Sequence, residues 1–213
     1  MRLTILLAAA ALSIGVAACG SDDESSSTPT GPDPVAQVDQ LSGRATAVTL
    51  DSGFVEALQS LKLTPGPLGA ASISKAGVAS FPISGGNVTY YEPGSVSPYV
   101  QGEIDHDGAG LSLEGGGKRV ELTDFVVDPG KSVLTGKVTV DGEVAAESAP
   151  LFFLDGRTLN PLEVNDNGTA VLEGTTVKLK AEAAELLNQT FAVDALEEGL
   201  VIGVAKITIN TSA

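Results

Sequence analysis

Glycine constrains this chain more than any other residue: 25 of them separate short apolar runs, leaving many stretches of strand length and few of helix length. Three pairs of runs read as hairpins. Leu111-Ser112-Leu113 and Val120-Glu121-Leu122 flank Gly115-Gly116-Gly117. Phe125-Val126-Val127 and Val133-Leu134 flank Asp128-Pro129-Gly130-Lys131, where proline presets the turn and glycine is placed to take a positive φ. Val138-Thr139-Val140 runs into Asp141-Gly142, a pair suited to a two-residue type I′ turn. Further strands are expected at residues 45–50, 77–83, 87–91, 100–104, 150–154, 170–172, 176–179 and 203–209. The expected fold is mainly β, an antiparallel β-sandwich-like or partly open barrel domain with two short helices.

The helices are expected where the apolar period changes from two to about 3.6. Phe54, Leu58 and Leu61 follow Asp51 and Ser52, either of which can cap a helix start. Ala183, Ala184, Leu187 and Phe191 form the apolar face of a second helix over residues 181–191. The contexts match: Val48-Thr49-Leu50 precedes the first helix and Val177-Lys178-Leu179 the second. If this is an internal repeat, it places two strand-helix units symmetrically at the two ends of the domain; chance likeness between apolar segments is the other reading.

The first forty residues differ in character. Arg2 is followed by an uncharged apolar run from Leu3 to Val16, the length of a signal-peptide core. A spanning helix needs roughly 20 apolar residues, and Asp22, Asp23 and Glu24 follow closely, so the run is expected to be a targeting segment. Its end, Val16-Ala17-Ala18-Cys19, resembles the lipobox of bacterial lipoproteins. That resemblance implies lipid on Cys19 and removal of residues 1–18. Cys19 is the only cysteine, so no disulfide within the chain competes for it. Ser25-Ser26-Ser27 and three nearby prolines then read as a solvated tether over residues 19–44, with one β domain over 45–213. The expected location is the cell envelope, with the domain outside the cytoplasm and held to a membrane by N-terminal lipid.

Charge excludes one class of partner. Net charge is −15, which argues against nucleic acid and against electrostatic adhesion to anionic lipid. With no tryptophan, six Phe and three Tyr, the core must be built from Val, Leu, Ile and Ala.

Candidate ligand-binding residues are few. His106, the only histidine, stands between Asp105 and Asp107. Such an imidazole is expected to have a raised pKa and can ligate a metal or haem iron, although one histidine makes no histidine-rich metal site. The same Asp-x-Asp-Gly segment also reads as a strand-end turn. Tyr90, Tyr91 and Tyr99 bracket a loop held by Pro93 and Pro98, where tyrosines can stack on a ligand or pack the rim. Asn165-Asp166-Asn167-Gly168 offers oxygens as a calcium loop does but lacks the later glutamate, so it reads as a turn. No Gly-x-Ser-x-Gly elbow is present and His106 has no serine partner by motif, so no enzyme is expected.

Gly102-x-x-x-His106-x-Gly108, then Leu111-x-Leu113, a glycine turn and Val120-x-Leu122-x-Asp124-Phe125, resembles the central part of HtaA-type bacterial surface domains. The strand-helix stretch from Val177 to Leu187 is similar to that family's C-terminal part. The resemblance implies a β fold at the cell envelope and, in characterised members, haem bound through a tyrosine helped by a histidine. Leu111 comes one residue later than the family pattern. Where the family has Ser-Phe-x-x-Tyr, this chain has Ser52-Gly53-Phe54-Val55-Glu56-Ala57-Leu58, with no tyrosine. The expected function is therefore a non-enzymatic envelope lipoprotein binding a small molecule or a protein partner. The alternatives are a haem-binding or haem-relay lipoprotein and a structural or adhesive surface protein without ligand. No metal site is expected, and no cofactor apart from the haem that the resemblance raises.

Overall fold

The computed structural model describes residues 31–211; Cys19 and the expected signal segment lie outside them. Thirteen strands and two helices follow in chain order. They are β1 (Ala36–Val38), β2 (Arg44–Leu50), α1 (Ser52–Ser60), β3 (Thr64–Gly69), β4 (Ser72–Ile73), β5 (Val78–Pro82) and β6 (Gly85–Tyr90). Then come β7 (Val100–Gly115), β8 (Lys118–Asp128), β9 (Val133–Val140), β10 (Glu143–Asp155), β11 (Glu163–Asn165), β12 (Thr169–Leu179), α2 (Ala181–Phe191) and β13 (Val201–Asn210).

All pairings between the named strands are antiparallel and form one sheet in the order β1-β6-β7-β8-β9-β10-β12-β13-β2-β5-β4, with β3 beside β7 and β11 beside β12. Of the two arrangements expected, the partly open barrel is the one formed: a single sheet curled into a half-barrel. The curl brings β2 and β5 back towards β7. Between β5 and β6, the Ser84 N–H donates to the Asp105 carbonyl at 2.8 Å, and the Ser84 hydroxyl accepts from the Asp107 N–H at 2.9 Å.

Turn chemistry sets the hairpins. Gly116 and Gly117 (φ +58° and +78°) join β7 to β8, and Asp141 and Gly142 (φ +50° and +88°) join β9 to β10, as two-residue turns with both φ positive. At the loop from Pro129 to Ser132 the positive φ falls on Ser132 rather than on Gly130; the Asp128 side chain closes this turn by accepting from the Lys131 N–H at 2.8 Å. Between β6 and β7, Gly86 (φ +106°) and Gly102 (φ +113°) let the strands close up. A Cβ there would lie 2.0 Å and 2.2 Å from the carbonyl oxygens of Glu103 and Asn87.

Both helices form where expected. The Asp51 carboxylate accepts from the Gly53 and Phe54 N–H groups, which makes Asp51 rather than Ser52 the cap of α1. Asp51→Ala is expected to cost about 1 kcal/mol, read as a lower urea midpoint at unchanged slope. Leu58 of α1 and Ala183, Ala184 and Leu187 of α2 are buried in the core. The two strand-helix units do not stand at opposite ends of the domain. β2 and β12 flank the same strand, β13, with Leu50 on one side of Gly203 and Val177 on the other, so both helices leave from one end of the sheet.

The folded unit begins earlier than expected. Residues 35–44, read from composition as the end of the tether, carry β1, which pairs Ala36 with Tyr90 and Val38 with Val88. Leu41 is buried in the core, and its N–H donates to the Gly86 carbonyl at 2.8 Å. The physical reason is edge pairing: a three-residue strand needs only one partner and little apolar sequence.

Candidate functional site

Strand alternation turns one side chain in two to the inside of the curl. Thr46, Val48 and Leu50 of β2, Ala79 and Phe81 of β5, Ile104 and His106 of β7, Phe125 and Val127 of β8, and Ala205, Ile207 and Ile209 of β13 line one cavity of about 990 Å³. That is near the upper end for small-molecule sites. A second, apolar cavity of about 170 Å³ lies between the sheet and the two helices, lined by Phe54, Leu58, Ala183, Leu186 and Leu187 among others. Leu50, Ala79, Leu111, Phe152 and Ile202 face both cavities and form the partition between them.

His106 sits in the wall of the large cavity, only 1 % exposed. It does not lie at a strand end. β7 runs on through it for 16 residues, and the register with β8 slips immediately after it, where Asp124 takes a positive φ and its carboxylate accepts from the Gly108 N–H at 3.0 Å. Nδ1 lies 3.3 Å from the Phe125 carbonyl oxygen, which can only accept, so the proton is on Nδ1. Nε2 therefore presents its lone pair and accepts from the Thr46 hydroxyl at 2.8 Å. The ring also meets Phe81 edge-on at 6.4 Å.

The raised pKa expected for His106 is not found. Burial lowers it to about 4, outweighing the carbonyl contact and the charge of Asp107. Alternation explains why: Asp107 is exposed and Asp105 only half-buried, while the imidazole points inward.

The tyrosines separate by the same parity. Tyr90 and Tyr99 line the cavity with His106 and meet edge-on at 5.8 Å, whereas Tyr91 is not in its lining. Burial and the neighbouring Tyr90 push the Tyr99 hydroxyl up from its ordinary pKa. Asn165 to Gly168 form the turn between β11 and β12, the Gly168 N–H donating to the Asn165 carbonyl. Among the described residues no group of three or more His, Cys, Asp or Glu side chains is placed to hold a metal ion.

Two features were not foreseen. At the cavity rim Val35, Phe153 and Val164 are exposed by 57 %, 44 % and 65 %. Beside them lies a charged cluster, in which the buried Asp155 carboxylate accepts from Arg157 at 2.8 Å and 2.6 Å and from Lys178 at 2.8 Å. Arg157, then Lys178, hold the Asp155 carboxyl well below the usual carboxylate range. In sequence only Asp155-Gly156-Arg157 hints at this; Lys178 arrives by the pairing of β10 with β12.

No protein-family model matches this chain, and no curated protein does. Among solved structures it is similar to the C-terminal domain of HtaA from Corynebacterium glutamicum, with a TM-score of 0.56 and 13 % identity, covering 80 % of this chain and 98 % of that one. A domain-swapped dimer of a histidine-to-alanine variant of the same domain aligns with a TM-score of 0.46 and 13 % identity, over 76 % and 92 % of the two chains. The first likeness shows that the two share a fold, as the sequence resemblance implied. No helix of the described residues is long and apolar enough to cross a membrane.

Proposed function

We propose that this chain is a non-enzymatic binding protein of the cell envelope, taking an apolar small molecule into the large cavity of its half-barrel. The observation that carries this is the cavity itself: about 990 Å³, walled chiefly by apolar side chains and rimmed by exposed Val35, Phe153 and Val164. Nile red, a neutral apolar dye, is expected to bind saturably with a blue shift. Ala205→Phe or Ala170→Phe, each filling the cavity from a buried wall position, should weaken it at least tenfold with the far-UV circular dichroism unchanged. Absence of saturable binding, or binding indifferent to both substitutions, overturns the reading.

Display on a membrane rests on Cys19, which lies outside the described residues. Cys19→Ala is expected to leave an uncleaved precursor or release protein from the membrane fraction. Palmitate label still incorporated into that variant would overturn lipidation at this residue.

A second reading, haem binding, is favoured by one observation: His106, Tyr90 and Tyr99 line the same cavity. The Phe125 carbonyl fixes the His106 tautomer with a lone pair on Nε2, the form a metal requires, and only the Thr46 hydroxyl must turn away to free it. The residues thus fit an iron ligand from His106, whereas α1, where the family carries its tyrosine, supplies none. Haem titration is expected to give a Soret shift that His106→Ala removes. No shift at micromolar haem, or one unchanged in the variant, excludes this reading.

A further inference from the structure

We propose that the occupant of the large cavity is an amphiphile with one long acyl chain and an anionic head, the head held at the rim by Arg157. This rests on the cavity being a ligand site. The wall supplies the first half of the argument. His106 and Thr46 satisfy each other, and no buried side-chain nitrogen or oxygen among the described residues lacks a hydrogen-bond partner. Along the apolar strands of this wall a polar ligand would leave most of its own groups unpaired, at a cost in binding, whereas hydrocarbon leaves none. Most of the lining is aliphatic, which grips a chain without dictating where polar atoms go.

The rim supplies the second half. Among the described residues the only charged ones in the lining are Asp155 and Arg157, and Lys178 completes their cluster. Two cations against one carboxylate leave a surplus positive charge on a chain whose net charge is −15. The Arg157 side chain is 82 % exposed, so its guanidinium meets both Asp155 and solvent. An anion seated there shares one cavity with Phe153, Leu159 and the apolar interior, which its tail can enter.

The test compares cis-parinarate with its methyl ester, identical in chain and differing in head charge, on the full chain carrying Cys19→Ala so that no acyl group of its own competes. Parinarate is expected to bind more tightly than the ester. Arg157→Ala should weaken parinarate by roughly threefold to tenfold and leave the ester unchanged, with Arg157→Lys restoring most of the difference. Displacement by oleate or by a lysophosphatidylglycerol supports the proposal and tells a free fatty acid from a membrane lipid; displacement by neither overturns it. Equal binding of acid and ester, or no effect of Arg157→Ala, also overturns it while the apolar cavity reading stands. If Nile red binds and neither parinarate form does, the acyl chain is excluded. If nothing binds, the cavity reading itself has failed.

Discussion

Phe152→Ala is expected to lower the folding free energy by about 3–5 kcal/mol, the cost typical of deleting a buried aromatic ring. Phe152 is 8 % exposed and belongs to the partition between the two cavities. It lines both spaces, so its loss enlarges each of them and is expected to let the apolar voids run together. The neighbouring walls belong to a continuous hydrogen-bonded sheet and have little freedom to collapse into the gap. Phe153→Ala is the control: 44 % exposed, one residue on, it should change stability by less than about 1 kcal/mol. Urea denaturation of the two variants checks the contrast; equal midpoints would mean that Phe152 does not hold the partition.

A second large effect is expected with pH. In the unfolded chain the single imidazole titrates near 6.5, and in the folded chain at about 4. Between these values the unfolded state binds more protons, so stability falls as pH drops below about 6.5. The loss is complete below about 4 and amounts to about 3 kcal/mol. Asp128, Asp141 and Asp155, held below their ordinary pKa by Lys131, Lys118 and Arg157 respectively, add acid lability only lower, as pH falls through the usual carboxylate range. Asp105, raised by burial and then by Asp107, acts in the opposite sense and above its ordinary value, so it offsets part of the loss at the lower end of the His106 window. His106 therefore sets the fall that begins just below pH 6.5. His106→Gln, measured by denaturant titration at several pH values, should flatten the slope there. A slope that persists in the variant would assign it elsewhere.

Much of the fold is legible because its punctuation is local. The Gly116-Gly117 and Asp141-Gly142 turns, the Asp51 cap and the apolar face of α2 depend on neighbours a few residues away, and each lies where the sequence places it. What the sequence hides is non-local. β3, with Pro65 and Pro67, is not among the expected strands; it pairs only with β7, where proline costs an edge strand little. The two segments expected at residues 100–104 and 111–113 are one strand, because a bulge after His106 carries the ladder across Gly108. At the site, parity of the strands decides. Periodicity could tell Tyr90 from Tyr91, but only the curl of the sheet shows that Tyr90, Tyr99 and His106 meet one space. His106 misleads from sequence because neighbouring aspartates suggest charge, whereas the side that matters faces hydrocarbon.

The chain enters its fold through β1, three residues paired with β6 along one edge, with no strand of the described residues on the other. The same stretch, Val35 to Val38, is part of the cavity wall. Tension applied through the N-terminus is thus borne first by a three-residue edge strand of the enclosure. A pull on that end of the molecule therefore acts directly on the cavity wall.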